Sequence, residues 1–310
     1  MSTFARKSAI LTVLGITLVG CGTQSGTGGT ADGPRTPSPG ASATAASPAR
    51  TGEPTGDPSG DPSGGPGAGP ERRVPTLAPG PGGLAAVFER AAPSRGAAKT
   101  VALTFDADMT ADQGPRAARG ERFDNPGLIA ALRELKVPST VFMTGRWAEE
   151  YPDQARSIGI DPLFETANHS WSHYAYTGDC YGLPVVGRDE MRTDVERAFR
   201  AFEKAGVRNT VPYFRFPGGC YDDAALRAVA PTGVTAVQWD VVGGDAFATD
   251  ADAVAEQVLA GVRPGSLVVL HCTRSAAPVT EAAVRRVVPE LRRRGFTFVK
   301  VSDLMRPDAP

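Results

Sequence analysis

The segment TVALTFDAD, residues 100–108, is the part of the sequence that decides the fold. Its first six residues form an apolar run with β-branched and aromatic side chains, a pattern typical of a buried β-strand. The acidic residues Asp106 and Asp108 follow this run directly. Side chains just past the carboxyl ends of strands form the active sites of parallel α/β proteins, so the segment also predicts where the chemistry lies.

Runs of this kind predict seven strands, at residues 100–105, 139–143, 163–167, 213–216, 235–239, 266–270 and 297–301. Helical stretches separate most of them, at residues 126–135, 189–205, 250–260 and 280–294. Pro126 takes the first helical position of the first stretch. Gly206, Gly261 and Gly295 follow the other three, where a left-handed residue caps a helix. The alternation predicts an α/β fold with helices outside a parallel sheet, as either a barrel or a doubly wound sheet.

Polar residues at the strand ends distinguish between these two folds. Positions just past the apolar runs of five different strands carry Asp106, Asn168 with His169, Arg215, Asp240 and His271. In a (β/α) barrel such positions converge at the carboxyl rim, where the active site forms. The sequence therefore favours a barrel over an open sheet.

Residues 22–83 differ in composition from the rest of the chain. They hold 16 Gly and 12 Pro and contain no Phe, Tyr, Trp, Ile or Met. Such a segment cannot bury enough apolar surface to offset the conformational entropy that ordering would cost. The composition predicts a disordered linker, followed by one globular domain at residues 84–310 with its core at residues 98–305.

The N-terminus has the layout of a secretory signal. Arg6 and Lys7 precede an apolar run at residues 9–19 that is too short to span a bilayer. The run ends in LVGC, residues 18–21, which resembles the lipobox of bacterial lipoproteins. This resemblance implies a signal peptide at residues 1–20, a linker starting at a lipidated Cys21, and an extracytoplasmic protein anchored to the membrane. An ordinary signal peptide with a chance cysteine is the alternative.

The charge of the chain is nearly balanced. It carries 33 basic and 34 acidic side chains, which gives a net charge of -1. This balance lacks the basic footprint of a nucleic-acid-binding protein. We therefore expect no nucleic-acid partner, and we expect a monomer.

All three histidines lie at or just beyond strand ends, at His169, His173 and His271. Two imidazoles four residues apart can reach the same metal ion, and a carboxylate such as Asp108 would complete a two-His-one-carboxylate set. The alternative is a structural pair, because His-x-x-x-His arises often by chance. The pair alone leaves both interpretations open.

Five short motifs together point to a known family. They are TFDADM at 104–109, NHSWSH at 168–173, RFPGG at 215–219, WDVVGGD at 239–245 and VVLH at 268–271. Each lies at a predicted strand end, and in this order they make the domain resemble the polysaccharide deacetylases, also called the NodB homology family or carbohydrate esterase family 4. The resemblance implies a distorted (β/α)7 barrel that removes acetyl groups with a divalent metal.

The resemblance also implies roles for the first three motifs. Asp106 would be the general base, and Arg215 would hold and orient it. His169 and His173 would be metal ligands. The family's first motif usually has two adjacent Asp residues, whereas here Ala107 takes the second place. We expect Asp108, one residue later, to be the third ligand; the alternative is a metal held by two His and water.

The resemblance also implies roles for the last two motifs and for the backbone of the third. His271 would be the general acid, with its pKa raised by a nearby carboxylate, either Asp240 or Asp245. A backbone N–H of the third motif, at Gly218, would stabilise the oxyanion. The family usually has an aromatic residue at Gly218 and a Trp at Ala246, so the aromatic substrate platform is reduced here.

These observations predict a metal-dependent hydrolase that removes N-acetyl groups from an extracytoplasmic amino-sugar polymer, with peptidoglycan favoured by the membrane anchor. We expect Zn²⁺ as the cofactor, and Co²⁺, Ni²⁺ or Mn²⁺ would also suit the ligands. Two alternatives stay open. One is an esterase that acts on O-acetyl groups of xylan-type glycans. The other is a non-catalytic barrel that binds cell-wall glycan.

Three cysteines remain if Cys21 is lipidated. We predict a disulfide between Cys180 and Cys220, because both lie on loops and the predicted compartment is oxidising. Cys272 would then be a free thiol next to His271. Zinc ligation by these cysteines is a weaker alternative, because their spacing contains no CxxC element.

Overall fold

The computed structural model describes residues 73–92 and 99–306. The predicted signal peptide, Cys21 and the linker up to residue 72 lie outside the described residues. Within the two described ranges, no helix has both the length and the apolar character needed to cross a membrane.

Parallel strands and surrounding helices make up the described domain. The strands are β1 Val87–Phe88, β2 Thr100–Ala107, β3 Ser139–Met143, β4 Phe164–Asn168, β5 Thr210–Phe214, β6 Thr235–Val237, β7 Val241–Val242, β8 Ser266–His271 and β9 Thr297–Phe298. The helices are α1 Gly114–Ala118, α2 Pro126–Glu134, α3 Gly145–Glu150, α4 Pro152–Gly159, α5 Met191–Ala205, α6 Asp223–Val229, α7 Ala251–Gly261, α8 Thr280–Arg293 and α9 Val301–Leu304. Short 3₁₀ turns lie at Pro81–Gly83, Pro217–Gly219 and Ala230–Thr232.

The strands form one curled parallel sheet in the order β1-β6-β5-β4-β3-β2-β8-β7, with β9 paired to the start of β2. All of these pairs are parallel. Just after β1, Arg90 forms an isolated antiparallel bridge with Ser266 of β8, and the Ala91 N–H donates to the Gly265 carbonyl at 3.0 Å. These contacts join the segment after β1, at one edge of the sheet, to the start of β8 near the other edge. The predicted α/β barrel is therefore confirmed in a distorted form.

The alternation of side chains along β2 places the polar residues inside the barrel. Val101, Leu103, Phe105 and Ala107 pack in the core that includes residues of the outer helices. Ala102 instead belongs to a second cluster with Phe142, Tyr213 and Leu267, residues of neighbouring strands. Because successive side chains in a strand point to opposite faces, Asp106 shares the inner face with Ala102.

Residues 73–83 contact the domain although their composition assigns them to the linker. The Tyr213 hydroxyl donates to the Pro75 carbonyl at 2.8 Å, and the Leu77 N–H donates to Thr235 Oγ1 at 3.0 Å. The chain then passes through the Pro81–Gly83 turn into β1, which pairs with β6. This stretch therefore packs on the barrel.

Candidate active site

Asp106 and Arg215 form a buried ion pair at the carboxyl end of β2. Arg215 follows β5, and its Nη1 donates to Asp106 Oδ1 at 2.5 Å. Its Nη2 donates to Thr104 Oγ1 at 2.9 Å, and its guanidinium lies 3.8 Å from the centre of the Phe142 ring. Arg215 is fully buried, and Asp106 is nearly so. The geometry therefore holds one carboxylate oxygen and leaves the other free for chemistry.

This pairing sets the protonation state of Asp106. Burial opposes ionisation, but the charges of Arg215 and His271 and the hydrogen bond from Arg215 lower the pKa of Asp106 below its usual value. A carboxyl group with a lowered pKa is ionised at neutral pH and can accept a proton. Asp106 thus has the charge state that a general base needs.

The loop after β4 carries the two histidines of the NHSWSH motif. Ser170 and His173 have positive φ angles of 67° and 55°, which residues other than Gly adopt rarely. The Asn168 side chain compensates locally, because its oxygen accepts from the Ser170 N–H at 2.8 Å and its amide donates to Val195 of α5 at 2.9 Å. The sharp loop turns both imidazoles toward the ends of the strands.

Three of these side chains converge on one point. Asp108 Oδ1 lies 3.5 Å from His169 Nε2 and 3.7 Å from His173 Nε2. One ligand atom from each of the three residues lies within 4.8 Å of the others. The His169 Nδ1 lies 2.9 Å from the Arg215 carbonyl oxygen. A carbonyl can only accept, so Nδ1 carries the hydrogen and Nε2 offers its lone pair to the cluster.

The donor set fits a divalent cation. Burial lowers the pKa of His169 and lowers that of His173 to about 4, so both imidazoles are neutral ligands at pH 7. The Asp108 Oδ1 is buried and has no hydrogen-bond partner. A buried carboxylate oxygen that faces two imidazole nitrogens and accepts no hydrogen bond is costly, and a bound cation would satisfy all three atoms. We call Asp108, His169 and His173 the metal cluster.

Asp108 reaches the metal cluster because β2 continues through Ala107. Ala107 points to the core on the helix side, so the next residue turns back toward the face of Asp106. The Asp108 N–H donates to Thr273 Oγ1 at 2.9 Å, which fixes the chain just past the strand. The departure from the usual first motif therefore moves the acidic residue along the chain without removing it from the site.

His271 and Asp245 form a second ion pair on the other side of β2. The His271 Nδ1 lies 2.9 Å from Asp245 Oδ1, and the His271 N–H donates to Asp245 Oδ2 at 2.7 Å. Thr280 Oγ1 also donates to Asp245 Oδ2, at 2.6 Å. Burial opposes the charge on His271, but the hydrogen bond that it donates to Asp245 and the charges of Asp245, Asp108 and Asp106 raise its pKa to about 10. His271 is therefore cationic at neutral pH.

The structure does not bring Asp240, the other carboxylate considered for this role, to His271. Asp240 precedes β7, and its oxygens accept from the Leu267 N–H at 2.7 Å and Ser266 Oγ at 2.8 Å. Both residues lie at the amino end of β8, whereas His271 lies at its carboxyl end. Asp240 therefore stabilises the opposite end of the strand, and the assignment of Asp240 to the site is corrected.

Gly218 lies in the Pro217–Gly219 turn, which begins two residues after Arg215, and its φ angle is 66°. A Cβ atom placed on Gly218 would lie 2.5 Å from Cys180 Sγ. Cys180 is joined to Cys220 by a disulfide, the pair selected from the sequence, and Cys272 is a buried free thiol. The disulfide therefore fills the space beside Gly218 and explains why this position carries no side chain.

The structure adds three supporting residues that the sequence motifs did not reveal: Asp194, Thr273 and Thr280. Asp194 of α5 accepts from the Ser172 N–H and hydroxyl, at 3.2 and 3.0 Å, and so holds the histidine loop. Its sequence signal was available, because it is an acidic residue within the buried face of an amphipathic helix. Thr273 and Thr280 lie after β8 and carry no comparable signal.

Comparison with known proteins identifies the family. The model of the polysaccharide deacetylase family matches residues 94–237. The chain is 32% identical to a chitooligosaccharide deacetylase from Sinorhizobium fredii over 198 residues, which is 61% of this chain and 86% of the relative. The chain therefore belongs to the polysaccharide deacetylase family, and the sequence-based prediction of a polysaccharide deacetylase is confirmed at that level.

Two further similarities extend this result. A peptidoglycan-N-acetylglucosamine deacetylase from Bacillus cereus is 26% identical over 211 residues, which is 67% of this chain and 89% of the relative. The crystal structure of a pseudoenzyme of carbohydrate esterase family 4 from Bacillus anthracis superposes with a TM-score of 0.57 at 23% identity, and covers 74% of this chain and 70% of that one. The latter similarity shows the shared fold alone.

Proposed function

We propose that the protein is a metal-dependent N-deacetylase of an amino-sugar polymer, with peptidoglycan as its substrate. One observation carries this proposal. Asp106 and His271 lie at the ends of neighbouring strands, each paired with a buried partner that holds it in the charge state its role requires. The metal cluster lies at the same rim, with Asp108 Oδ1 3.5 Å from His169 Nε2.

Asp108, His169 and His173 would hold the cation through one carboxylate oxygen and two imidazole nitrogens. A bound cation supplies Lewis acidity, which polarises the acetyl carbonyl and lowers the pKa of a water molecule. We propose Zn²⁺ because imidazole and carboxylate are its common ligands. Co²⁺, Ni²⁺ and Mn²⁺ suit the same donors and are compared in the experiment below.

Asp106 accepts the proton of the attacking water in the proposed reaction. Its Oδ1 is held by Arg215, whereas its Oδ2 lies 3.6 Å from His169 Nε2, at the edge of the metal cluster. Oδ2 is therefore the oxygen that faces the reacting water. Arg215 keeps the carboxylate ionised and fixes its orientation, so little reorganisation is needed when the proton moves.

The new C–O bond places negative charge on the former carbonyl oxygen. We propose that the backbone N–H of Gly218 donates to this oxygen. The Pro217–Gly219 turn begins two residues after Arg215, which anchors it through four side-chain hydrogen bonds to Val237, Asp106, Thr104 and Gln238. A donor on such a fixed segment is already oriented when the charge develops.

His271 donates a proton to the nitrogen as the C–N bond breaks. Its Nδ1 is bound to Asp245, so Nε2 is the nitrogen available to the leaving amine. The side chain is about 25% exposed, while Asp245 is only 1% exposed. The acid therefore reaches the substrate side of the rim while its partner stays buried. Acetate and the free amine are the products, and one water is consumed.

The choice of substrate rests on the relatives and on the N-terminus. The relatives described above act on chitooligosaccharide and on peptidoglycan N-acetylglucosamine, according to their names. We propose that residues 1–20 are a signal peptide and that a lipid on Cys21 holds the domain at the outer face of the membrane, beside the cell wall. We propose a monomer in that location.

The decisive experiment uses the purified full-length chain. Bound metal is measured by elemental analysis. Acetate release is measured from chitooligosaccharides, peptidoglycan and acetylated xylan, before and after chelation and after return of Zn²⁺, Co²⁺, Ni²⁺ or Mn²⁺. We expect acetate from the N-acetylated substrates, loss on chelation, and recovery with Zn²⁺.

Each alternative predicts a different result in the same assay. Acetate from acetylated xylan alone would assign the protein as an O-acetyl esterase. Absence of acetate from every substrate, despite full metal loading, would assign a non-catalytic glycan-binding barrel. The location is tested by Cys21→Ser, which should move the protein from the membrane fraction to the soluble extracytoplasmic fraction. Retention of this variant in the membrane fraction would contradict the lipid anchor.

A further inference from the structure

Tyr181 and Phe247 are the exposed aromatic residues of the described part of the chain, with 88% and 83% of their surface accessible. Both also have positive φ angles, of 52° and 60°. An exposed ring does not contribute the favourable free energy of burying apolar surface, and a left-handed backbone conformation is strained for a residue with a bulky side chain. Neither feature helps the fold, so these two positions point to a function.

The ring of Tyr181 lies beside the Pro217–Gly219 turn, which carries the proposed Gly218 donor. The Leu183 N–H donates to the Cys180 carbonyl at 3.0 Å, so Tyr181 and Gly182 form the tip of a tight turn. The disulfide from Cys180 ties this turn to the segment after Gly218. A Cβ atom on Gly218 would lie 3.4 Å from Tyr181 Cδ2, so the ring occupies space next to residue 218.

Phe247 lies in the turn that follows Asp245, the partner of the proposed general acid. It comes two residues after Asp245, the partner of His271, in a turn where the Ala248 N–H donates to the Asp245 carbonyl at 3.1 Å. The Phe247 N–H donates to the Ala276 carbonyl at 2.6 Å, which fixes the backbone of this turn. The exposed ring is therefore attached to the rigid segment that holds His271.

We propose that Tyr181 and Phe247 are sugar-stacking residues that bind a glycan chain on the two sides of the reacting sugar. This inference rests on the proposed function. The apolar face of a pyranose ring packs well on an aromatic ring, and rigid aromatic side chains give much contact area at little entropic cost. Two such rings, one beside Gly218 and one in the turn after Asp245, should bind an oligosaccharide better than a short fragment.

The strain allows a test in which stability and binding move in opposite directions. Tyr181→Gly and Phe247→Gly remove the ring and also relieve the left-handed backbone, so each should raise the Tm, by about 2–4 °C. Each should raise KM for the N-acetylglucosamine pentamer by about 3- to 10-fold, and should raise KM for the dimer by less. Tyr181→Phe should keep the pentamer KM near that of the wild type.

Lys136→Gly is the matched control. Lys136 has φ at 50° just after α2, is exposed, and lies outside the site. This variant should raise the Tm in the same way without changing KM for any glycan. Unchanged pentamer KM in both Tyr181→Gly and Phe247→Gly would overturn the inference, and so would an equal increase for dimer and pentamer.

The readouts separate this inference from the proposed function. Acetate release by the wild type tests the function, whereas the ratio of variant to wild-type KM tests the stacking residues. If the wild type releases no acetate, pentamer binding is measured by titration calorimetry on the same proteins. A weaker pentamer affinity in the two ring variants would then support the stacking role alone. The absence of any pentamer binding by the wild type would overturn both.

Discussion

The two sides of the site use the same kind of ion pair in opposite ways. In the Arg215–Asp106 pair the cation is wholly buried, and the carboxylate presents its free oxygen to the metal cluster. In the Asp245–His271 pair the carboxylate is buried, and the cationic ring is partly exposed. Under the proposed function, the member of each pair that faces the metal cluster or the solvent, Asp106 in one pair and His271 in the other, decides whether the pair acts as a base or as an acid.

The pKa shifts follow from the same arrangement. Arg215 is the main charge that lowers the pKa of Asp106 against the effect of burial. Asp245 is the main partner that raises the pKa of His271 to about 10 against the effect of burial. At pH 7 the site therefore holds an ionised base and a protonated acid at the same time, which is the combination that amide hydrolysis needs.

The largest effect is expected from Asp106→Asn, which removes the base and keeps its shape. We expect kcat to fall by about 100- to 10,000-fold, because the amide cannot accept the proton from water. Metal content should stay at the wild-type level, since Asp106 is not in the metal cluster. Acetate release and elemental analysis check the two outcomes. Near-normal kcat would show that another group serves as the base.

Asp108→Ala tests the metal cluster between the two pairs. We expect at least about a 10- to 100-fold loss of metal affinity, because the variant keeps two imidazole ligands and loses the carboxylate. Asp112→Ala is the matched control, since Asp112 is an exposed acidic residue four positions later that hydrogen-bonds Thr110. Metal titration with a competing chelator measures both variants. Equal affinities in wild type and Asp108→Ala would show that Asp108 is not a ligand.

Asp245→Asn tests the acid side through the pH profile. The alkaline limb of kcat reports loss of the proton from His271, so we expect it to move to lower pH, by about 1–3 units. The pKa of His271 is about 10 in the folded protein and about 6.5 in an unfolded chain. The pair therefore stabilises the fold fully below pH 6.5, and this contribution is lost as the pH rises through about 10.

The control for this variant is Asp240→Asn, at the other end of β8. It should lower the Tm, because it weakens the hydrogen bonds to Ser266 and Leu267. Its alkaline limb should stay in place. A shift of the limb in Asp240→Asn, or a fixed limb in Asp245→Asn, would reverse the assignment of the two carboxylates.

The smallest effect is expected from Thr280→Val, which removes one of the hydrogen bonds that hold Asp245. We expect a loss of about 1 kcal/mol in the free energy of unfolding and a small change in kcat, because Asp245 keeps both contacts with His271. Thr232→Val is the control, since its hydroxyl donates to the Val229 carbonyl away from the site. Urea unfolding and initial rates are measured for both variants. Equal losses of kcat in Thr280→Val and Thr232→Val would contradict the supporting role of Thr280.

Sequence reasoning predicted the long elements and the buried ion pair well. The seven predicted strands and four predicted helices are present, although the strand predicted at 297–301 is shortened to Thr297–Phe298. The prediction of a left-handed cap at Gly261 is wrong, because Gly261 is the last residue of α7 and Val262 follows it with a φ of -66°. The missed elements are short: β1 and β7 have two residues each, and the missed helices have four to eight, namely α1, α3, α4, α6 and α9. Periodicity carries little information over so few residues.

The choice between Asp240 and Asp245 depended on one such short strand. The strand predicted at residues 235–239 would place Asp240 just past its carboxyl end. In the structure, β6 ends at Val237 and a new strand begins at Val241. Asp240 thus precedes β7 and lies at the amino end of the barrel, whereas Asp245 follows it. The two carboxylates therefore differ in their position relative to β7: Asp240 precedes the strand and has a structural role, whereas Asp245 follows it and contacts His271.

The bridge between Arg90 and Ser266 bears on how the protein can be shortened. The family model begins at residue 94, yet the ring of strands depends on the segment before it, through β1 on β6 and through Arg90 on β8. A chain cut at residue 99 would lose β1 and expose the edge of β6, and an exposed strand edge can pair with a second molecule. We therefore expect a fragment that keeps residues 73–92 to be more soluble than one that begins at the boundary of the family model, because these residues contact β5 and β6.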